Sequence, residues 1–252
     1  MITLSSDFNT VYPAAMRGVL ASHTDARLID IEHHLPRQDV RSSAFWLREV
    51  IPYFPPAVHL VVVDPGVGTD RAVLVVEAGE HRFVAPDNGV VIPAARAISE
   101  ELTMWHLESY DATSSTFHGR DVFAPLAAIV HDTPNWTCAD IDGLTQTDSF
   151  VDLSIPTAHK SDGTVHGEVI AIDTFGNVIT NIPASDVRGQ VEEIVRVEGQ
   201  RLPFVPAYAF VPPGEPLATI GSHGHLELAV NQRRGDEWFG LEVRDRITVQ
   251  LL

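Results

Sequence analysis

Two uninterrupted runs of mostly apolar, β-branched residues in the first half of the chain constrain its fold most. HLVVV covers residues 59–63 and AVLVVEA covers residues 72–78. Continuous apolar runs of this length are typical of strands that are buried on both faces. The sequence therefore predicts a sheet that is covered by helices on both sides.

Strand and helix patterns alternate around these runs. ITLSS (residues 2–6) and RLIDI (27–31) have strand character, and AAMRGVLAS between them has helical character. Residues 39–54 combine an acidic start, apolar residues at helical spacing and a proline-rich end, and residues 121–132 form a further helical pattern. This alternation predicts a three-layer α/β domain with a mostly parallel sheet.

The second half of the chain contains only short strand patterns. The composition becomes polar between Thr145 and Gly163, and Gly, Pro, Asn and Asp separate the segments that follow. Such spacing predicts a small β-sandwich or barrel. We assign residues 1–156 to the α/β domain, 157–162 to a linker and 163–252 to the β domain. The segments are TVHGEVIAID, NVITNI, EEIVRVEG, LATIG, HLELAV and DRITVQLL.

The charge composition restricts the partners. The net charge is −17, and Lys160 is the only lysine in 252 residues. An acidic surface disfavours nucleic acids and anionic membranes and suits a cationic small molecule. It also suggests a source that lives in high salt.

No apolar run is as long as a membrane span and no signal-peptide pattern is present, so we expect a cytoplasmic protein. The single cysteine, Cys138, excludes an internal disulfide.

Two carboxylates are predicted to share one edge of the sheet. Asp7 follows the first strand and Asp64 follows HLVVV. Ligands of open α/β sheets collect at the carboxyl ends of strands, so this edge is a candidate site. From Asp64 the chain turns through two glycines to Arg71. On residues alone, this stretch is equally typical of a strand exit with a surface ion pair.

Three other stretches contain residues suited to chemistry. In STFHGRD (residues 115–121), His118 precedes a helix that Asp121 is expected to cap. IDTFGNVITNI (172–182) contains asparagines that can recognise a purine edge or simply satisfy turns. IGSHGHLELAVNQ (220–232) is either a plain hairpin or a glycine-flanked ligand turn. The paired histidines lack the i, i+4 spacing of a zinc motif, so we expect no metal.

Taken together, these stretches resemble one family over nearly the whole chain. The sequence resembles the S-adenosylmethionine hydroxide adenosyltransferases, the water-using relatives of the bacterial fluorinase and chlorinase. The matching pieces occur in family order. They are SSDF, DIEHHLPRQDVRSSAF, YFPPAVHLVVVDPGVGTDR, FVAPDNG, STFHGRDVFAP, DTFGNVITNI and VPPGEPLATIGSHGHLELAVNQ.

The resemblance implies an assembly and a reaction. It implies an N-terminal α/β domain, a C-terminal β-barrel-like domain, and a homotrimer with active sites at subunit interfaces. The implied reaction is attack of water on the ribose of S-adenosylmethionine, which gives adenosine and methionine with no separate cofactor. The alternatives are a halogenase that forms 5′-chloro-5′-deoxyadenosine and a non-catalytic protein that binds adenosine or S-adenosylmethionine.

The resemblance also implies roles for individual residues. The family's catalytic Asp, Arg and His match Asp64, Arg71 and His118. The implied substrate-binding residues are Asp7, at the ribose hydroxyls; Asn177 and the backbone of Val230, at adenine; Ser222 and Glu227, near the methionine portion; and Asp64 and Tyr12.

The segment after Phe8 departs from the family pattern. NTVYPAAM is shortened and lacks both the glycine after Phe8 and the acidic residue downstream. The contacts of Tyr12 with the substrate are therefore left open. Gln38 and Asp64 occupy places where the fluorinase has aromatic side chains, which disfavours a halide pocket.

Overall fold

The chain folds into two compact units. The computed structural model describes residues 1–110, 113–133, 137–187, 189 and 193–251. The first unit is Met1–Ser154 and the second is Ile155–Leu252. Each unit has its own sheet and its own apolar core.

The first unit is built on a seven-stranded mixed sheet. Its strands are β1 (Ile2–Ser6), β2 (Leu28–Glu32), β3 (Val58–Val62), β4 (Val73–Ala78), β5 (His81–Pro86), β6 (Leu102–Leu107) and β7 (Leu144–Gln146). The order across the sheet is β2-β1-β3-β5-β4-β6-β7. Strands β2, β1, β3 and β5 run parallel, whereas β4, β6 and β7 add antiparallel pairings. The α/β class is confirmed, and only four of these seven strands form the predicted parallel arrangement.

Helices cover both faces of this sheet. They are α1 (Tyr12–His23), α2 (Val40–Val50), α3 (Ile92–Ile98) and α4 (Ala124–Asp132), with short 3-10 helices at Ile51–Tyr53 and Cys138–Asp140. Leu60 of β3 packs in one core cluster with residues of α1 and α4, whereas the neighbouring Val61 packs in a second cluster with residues of α2 and α3. Successive strand residues point to opposite faces, so these clusters define a three-layer unit.

The predicted helices form, but their ends differ from the prediction. Asp39 caps α2 by accepting a hydrogen bond from the backbone N of Ser42 at 3.2 Å. The helix predicted from residue 121 instead begins with a π-helical turn at Gly119–Phe123. Asp121 therefore lies inside a helical turn and is not a cap. Its Oδ2 accepts from the backbone N of Ser114 at 2.8 Å, and its Oδ1 accepts from Arg120.

The second unit is an antiparallel sheet that curls into a barrel-like shape. Its strands are β8 (His159–Ser161), β9 (Thr164–Ile172), β10 (Val178–Pro183), β11 (Ile194–Val197), β12 (Gln200–Pro203), β13 (Pro216–Ile220), β14 (His225–Val230) and β15 (Arg246–Leu251). The main path is β12-β11-β15-β9-β10-β14-β13, with β8 beside β9. The two ends meet where Phe204 bridges Ala218 and the backbone N of Val205 donates to Ala218 O at 2.9 Å. The barrel-like prediction is confirmed.

The remaining elements of the second unit are short. They are the helices α5 (Ala184–Val187) and α6 (Gly235–Phe239) and a 3-10 helix at Tyr208–Phe210. Residues 159–161, inside the predicted linker, form β8. Glu192 and Leu252, at the ends of two predicted strands, lie outside the described residues. Among the helices of the described ranges, none has the length and apolar character needed to cross a membrane.

Candidate active site

Two adjacent parallel strands of the first unit, β1 and β3, are each followed by an aspartate. Ser6 of β1 pairs with Val62 of β3, so Asp7 and Asp64 follow the last paired positions at the same edge of the sheet. Asp7 is buried, and its Oδ2 accepts a hydrogen bond from the backbone N of Gln38 at 2.8 Å. The predicted sharing of one sheet edge by these two residues is therefore confirmed.

A tight loop brings Arg71 back to Asp64. The backbone N of Thr69 donates to Gly66 O at 3.1 Å, and the Thr69 hydroxyl donates to the same oxygen at 2.7 Å. A Cβ at Gly66 would lie 3.1 Å from Arg71 Cγ, so a larger residue there would crowd the arginine side chain. Gly68 has a φ of +81°, and a Cβ there would lie 3.0 Å from the backbone O of Ser115.

Asp64 and Arg71 form a buried, two-pronged ion pair. Arg71 Nε donates to Asp64 Oδ1 at 2.9 Å, and Arg71 Nη2 donates to Asp64 Oδ2. The side chains are only 10% and 5% exposed for Arg71 and Asp64, which excludes the surface ion pair. The guanidinium also lies over the ring of Phe123, with Cζ 4.8 Å from its centroid. Paired donors and this stacking fix the plane of the guanidinium.

His118 completes a cluster with this ion pair. Arg71 Nη2 lies 3.2 Å from His118 Nδ1. Because a guanidinium can only donate, this hydrogen bond requires an unprotonated Nδ1 and assigns the proton of the neutral ring to Nε2. Burial, and then the positive charge of Arg71, lower the pKa of His118, although Asp64 and Asp121 oppose the shift. The imidazole is therefore neutral near pH 7.

Three aromatic rings lie next to this cluster. Phe8 follows Asp7, Phe117 precedes His118, and Tyr12 opens α1. Their centroids are 5.8 Å apart for Phe8 and Tyr12, 5.9 Å for Phe8 and Phe117, and 5.0 Å for Tyr12 and Phe117. We call these three residues the ring cluster. A Cβ at Gly119 would lie 3.3 Å from the Phe117 ring and 3.4 Å from the Phe8 ring, so the rings pack closely on the turn that carries His118.

A serine, a histidine and an aspartate also line up at this edge of the sheet. The Ser6 hydroxyl lies 2.8 Å from His33 Nδ1, and His33 Nε2 lies 3.2 Å from Asp30 Oδ1. This order resembles a hydrolytic triad. Ser6 is fully buried, however, so its hydroxyl is inaccessible to a substrate. The chain of contacts holds the strand end just before Asp7.

The second unit contains a separate pocket. Its volume is about 620 Å³. The lining residues are Asp173, Phe175, Asn177, Tyr208, Val230, Asn231, Gln232, Arg233 and Arg234. Aromatic side chains and hydrogen-bonding groups together suit a planar heterocycle. Asn177 and Val230, both predicted from sequence as binding residues, lie in this lining.

A chain of hydrogen bonds fixes the polar groups beside this pocket. Asn177 Nδ2 donates to Asp173 Oδ2 at 2.9 Å and to the Tyr208 hydroxyl oxygen at 3.4 Å. The Tyr208 hydroxyl donates to Glu227 Oε1 at 2.5 Å, and Glu227 Oε2 lies 3.4 Å from His223 Nε2. Burial and the adjacent Glu227 raise the pKa of Tyr208, so its hydroxyl keeps the proton that it donates.

Comparison with known proteins identifies the family of the chain. The model of the SAM hydroxide adenosyltransferase N-terminal domain matches residues 2–138, and the model of the C-terminal domain matches residues 167–248. The chain belongs to the SAM hydroxide adenosyltransferase family. This confirms the resemblance found in its sequence motifs.

Relatives of similar length carry a specific name. A Salinispora tropica protein named (R)-S-adenosyl-L-methionine hydrolase is 36% identical over 256 residues, covering 98% of this chain and 97% of the relative. A Thermus thermophilus protein of the same name is 36% identical over 253 residues, covering 96% and 94%.

Two solved structures have the same fold. The crystal structure of an uncharacterized conserved protein from Thermotoga maritima matches with a TM-score of 0.87 at 31% identity, covering 99% of this chain and 100% of that one. The crystal structure of a conserved hypothetical protein from Thermus thermophilus matches with a TM-score of 0.78 at 35% identity, covering 100% and 99%.

The structure groups most, but not all, of the residues assigned through the SAM hydroxide adenosyltransferase resemblance. Arg71 contacts both Asp64 and His118, whereas Glu227 reaches the second-unit pocket through Tyr208. Ser222 lies exposed in the turn before β14 and outside the lining of that pocket.

Sequence reasoning missed Tyr208 altogether. It touches Asn177 and Glu227, which are 31 and 19 residues away, and no motif surrounds it. Phe175 lies in the DTFGN turn that the sequence analysis singled out, but its 77% exposure beside a pocket is visible only in the structure.

Proposed function

We propose that this protein hydrolyses S-adenosyl-L-methionine to adenosine and L-methionine, with the (R)-sulfonium form as its substrate. The buried cluster of Asp64, Arg71 and His118 carries the proposal, because it places fixed polar groups where a water molecule can be held. The names of the relatives from Salinispora tropica and Thermus thermophilus support both the reaction and the epimer. S-adenosylmethionine is the substrate, and no separate cofactor is required.

The chemical difficulty of this reaction lies in the nucleophile. The water oxygen bonds to the ribose 5′ carbon while the bond from that carbon to sulfur breaks. Sulfur keeps the bonding electrons and leaves as the neutral thioether of methionine, so the leaving group needs no proton. Water itself has a pKa of about 15.7, so its proton must be accepted as the new bond forms.

The geometry of the cluster favours Asp64 as the proton acceptor. The ring of His118 carries its proton on Nε2 and shares its Nδ1 lone pair with Arg71. It can therefore donate to the water oxygen and orient it. Each Asp64 oxygen accepts one hydrogen bond from Arg71 and retains a second lone pair for the water. Arg71 is permanently charged, so it positions the carboxylate but does not act as a base.

A steady-state assay of adenosine release tests this proposal. We expect Asp64→Ala and His118→Ala each to lower kcat by roughly a hundredfold or more, the scale for losing a positioned acid–base group. The controls are Asp70→Ala, an exposed aspartate in the same loop, and His34→Ala, an exposed histidine. Adenosine release at the wild-type rate by both cluster variants would overturn the assignment.

The same assay separates the two alternatives. A halogenase would form 5′-chloro-5′-deoxyadenosine when chloride is added, a product that mass spectrometry distinguishes from adenosine. The carboxylate of Asp64 opposes this alternative, because a negative charge beside the attacking group repels a halide. A binding protein would hold the ligand for hours without turnover.

Assembly and environment are part of the proposal. The family resemblance supports a homotrimer with active sites at subunit interfaces. The single cysteine supports a reducing compartment such as the cytoplasm. The net charge of −17 and the solitary lysine support a salt-rich environment, and they disfavour nucleic acids or anionic membranes as partners.

A further inference from the structure

The ring cluster contains Tyr12, an implied substrate-binding residue whose contacts with the substrate the sequence left open. Tyr12 is 51% exposed, and Phe8 and Phe117 are partly buried beneath it. Large aromatic side chains exposed beside a buried polar site are typical of ligand contacts. The rings meet edge to face, with interplanar angles of 64° to 78°. Of these three rings, that of Tyr12 offers the most exposed surface to a ligand.

The chemistry of a sulfonium explains why rings are suited to this place. A sulfonium is positively charged but has no N–H or O–H group to donate, so hydrogen bonds to it contribute little. The electron-rich face of an aromatic ring attracts such a cation within about 6 Å. The first turn of α1, which begins with Tyr12, contains no acidic side chain that could pair with such a cation.

One member of the ring cluster already contacts a cation. Arg120 Cζ lies 5.1 Å from the centroid of Phe117, within the range of a cation–π interaction. Arg120 is in turn paired with Asp121, which leaves its guanidinium on that side of Phe117. Phe8 is partly buried, so the most exposed ring of the cluster is that of Tyr12.

We propose that the ring cluster binds the sulfonium centre of the substrate and that Tyr12 selects its configuration. This inference rests on the proposed function. The two epimers exchange the S-methyl group and the sulfur lone pair when the 5′ carbon and the methionine chain stay in place. A ring face attracts the methyl group, which shares the positive charge, and repels the lone pair. A ring on one side of sulfur thus favours one epimer.

The test is the ratio of kcat/KM for the (R) epimer to kcat/KM for the (S) epimer. We expect Tyr12→Leu to lower this ratio about tenfold, the scale of one cation–π contact in a partly dry site. Tyr12→Phe keeps the ring and should keep the ratio within about twofold. The control is Tyr53→Leu, which removes a tyrosine that is 87% exposed elsewhere in the same unit.

Calorimetric binding separates this inference from the proposed function. The neutral thioether S-adenosylhomocysteine serves as the probe without a charge, and thermal melts confirm that each variant is folded. Tyr12→Leu should weaken binding of the (R) epimer about tenfold and leave binding of S-adenosylhomocysteine and adenosine within about twofold. An unchanged epimer ratio in Tyr12→Leu, or an equal fall in Tyr53→Leu, would overturn the role of Tyr12. If the wild type releases no adenosine from either epimer, the proposed function fails. The role of Tyr12 is then still decided by calorimetry, from the ratio of the dissociation constants of the two epimers in wild type and in Tyr12→Leu.

Discussion

At the scale of single residues, Arg71 performs more than one task with a single planar group. Its Nε and Nη2 hold both oxygens of Asp64, and Nη2 also reaches His118 Nδ1. The same guanidinium packs on Phe123. The orientation of Asp64 and the tautomer of His118 both depend on it. A point charge in the same place cannot set both.

Arg71→Lys tests this dependence because it keeps the charge and removes the planar fork. We expect kcat/KM to fall by at least about tenfold, since a lysine amine cannot hold both carboxylate oxygens and His118 in register. The measurement is steady-state adenosine release, with a thermal melt to confirm folding. A lysine variant with the wild-type kcat/KM would mean that charge alone suffices.

The sequence predicted the residues of the candidate site unevenly. Asp64 and Arg71 are seven residues apart in one loop, and the sheet-edge argument placed Asp7 beside Asp64 from physical reasoning alone. His118 lies 47 residues beyond Arg71 and was linked to it only through the family resemblance. Tyr208 was not predicted, because its contacts form when β14 and the 3-10 helix at Tyr208–Phe210 come together in the folded unit.

At the scale of elements, the loop between β3 and β4 contains a glycine at positive φ that faces the segment before His118. Gly68 has a φ of +81°, and a Cβ added there would lie 3.0 Å from the backbone O of Ser115, three residues before His118. The missing side chain therefore lets the loop that carries Arg71 approach the segment that leads to His118. Gly79, in the hairpin between β4 and β5, also has a positive φ of +55°, but a Cβ added there would lie 4.0 Å from Ser99 Cβ, an ordinary van der Waals distance.

Gly68→Ala and Gly79→Ala form a matched pair. Both should lose about 1 kcal/mol of unfolding free energy, because alanine is strained at positive φ. Only Gly68→Ala should also lower kcat, by about tenfold, because its Cβ pushes the loop away from Ser115. Urea unfolding and adenosine release measure the two effects. Equal kcat values in the two variants would show that the loop contact does not position the cluster.

Strands β1, β3 and β5 share a buried chain of polar groups. The Thr3 hydroxyl lies 2.7 Å from His59 Nδ1, and His59 Nε2 lies 2.9 Å from His81 Nδ1. When both imidazole rings are neutral, each of these two hydrogen bonds contains a single proton, so both bonds can form at once. Burial, and then the neighbouring His81, lower the pKa of His59 to about 3.

This chain predicts acid-sensitive stability. The unfolded His59 binds a proton below pH of about 6.5, whereas the folded residue stays neutral until about 3. Stability should therefore fall as the pH drops through this window, by up to about 1.4 kcal/mol per pH unit. His59→Gln should reduce the slope of unfolding free energy against pH by up to about 1.4 kcal/mol per pH unit, the amount that uptake of one proton on unfolding contributes. His34→Gln, at an exposed histidine, should leave this slope unchanged. Identical slopes in wild type and His59→Gln would contradict the assignment.

The elements themselves were largely predictable from periodicity. Continuous apolar runs predicted β3 and β4, and helical spacing predicted α2 and α4. The antiparallel direction of β4 was not predictable, because a strand buried on both faces has the same pattern in either direction. The capping role expected of Asp121 was wrong, because the π-helical turn at Gly119–Phe123 begins two residues earlier.

At the scale of the whole molecule, charge is the dominant feature. The chain carries 34 acidic residues against 17 lysines and arginines, for a net charge of −17. Such an excess destabilises a compact state through self-repulsion. Salt screens this repulsion, because the screening length shrinks from about 10 Å at 0.1 M to about 3 Å at 1 M.

A salt series therefore tests whether the surface is adapted to high salt. We expect the melting temperature to rise from low salt to molar sodium chloride, by about 2–4 °C for each kcal/mol gained in a chain of this size. Simple screening should be nearly complete by about 0.5 M, whereas a surface that binds hydrated ions should gain further stability above it. Sucrose at matched osmolality controls for solvent exclusion. Equal melting temperatures at low and molar salt would show that −17 charges are tolerated without salt, and the salt-rich environment would then lose its support.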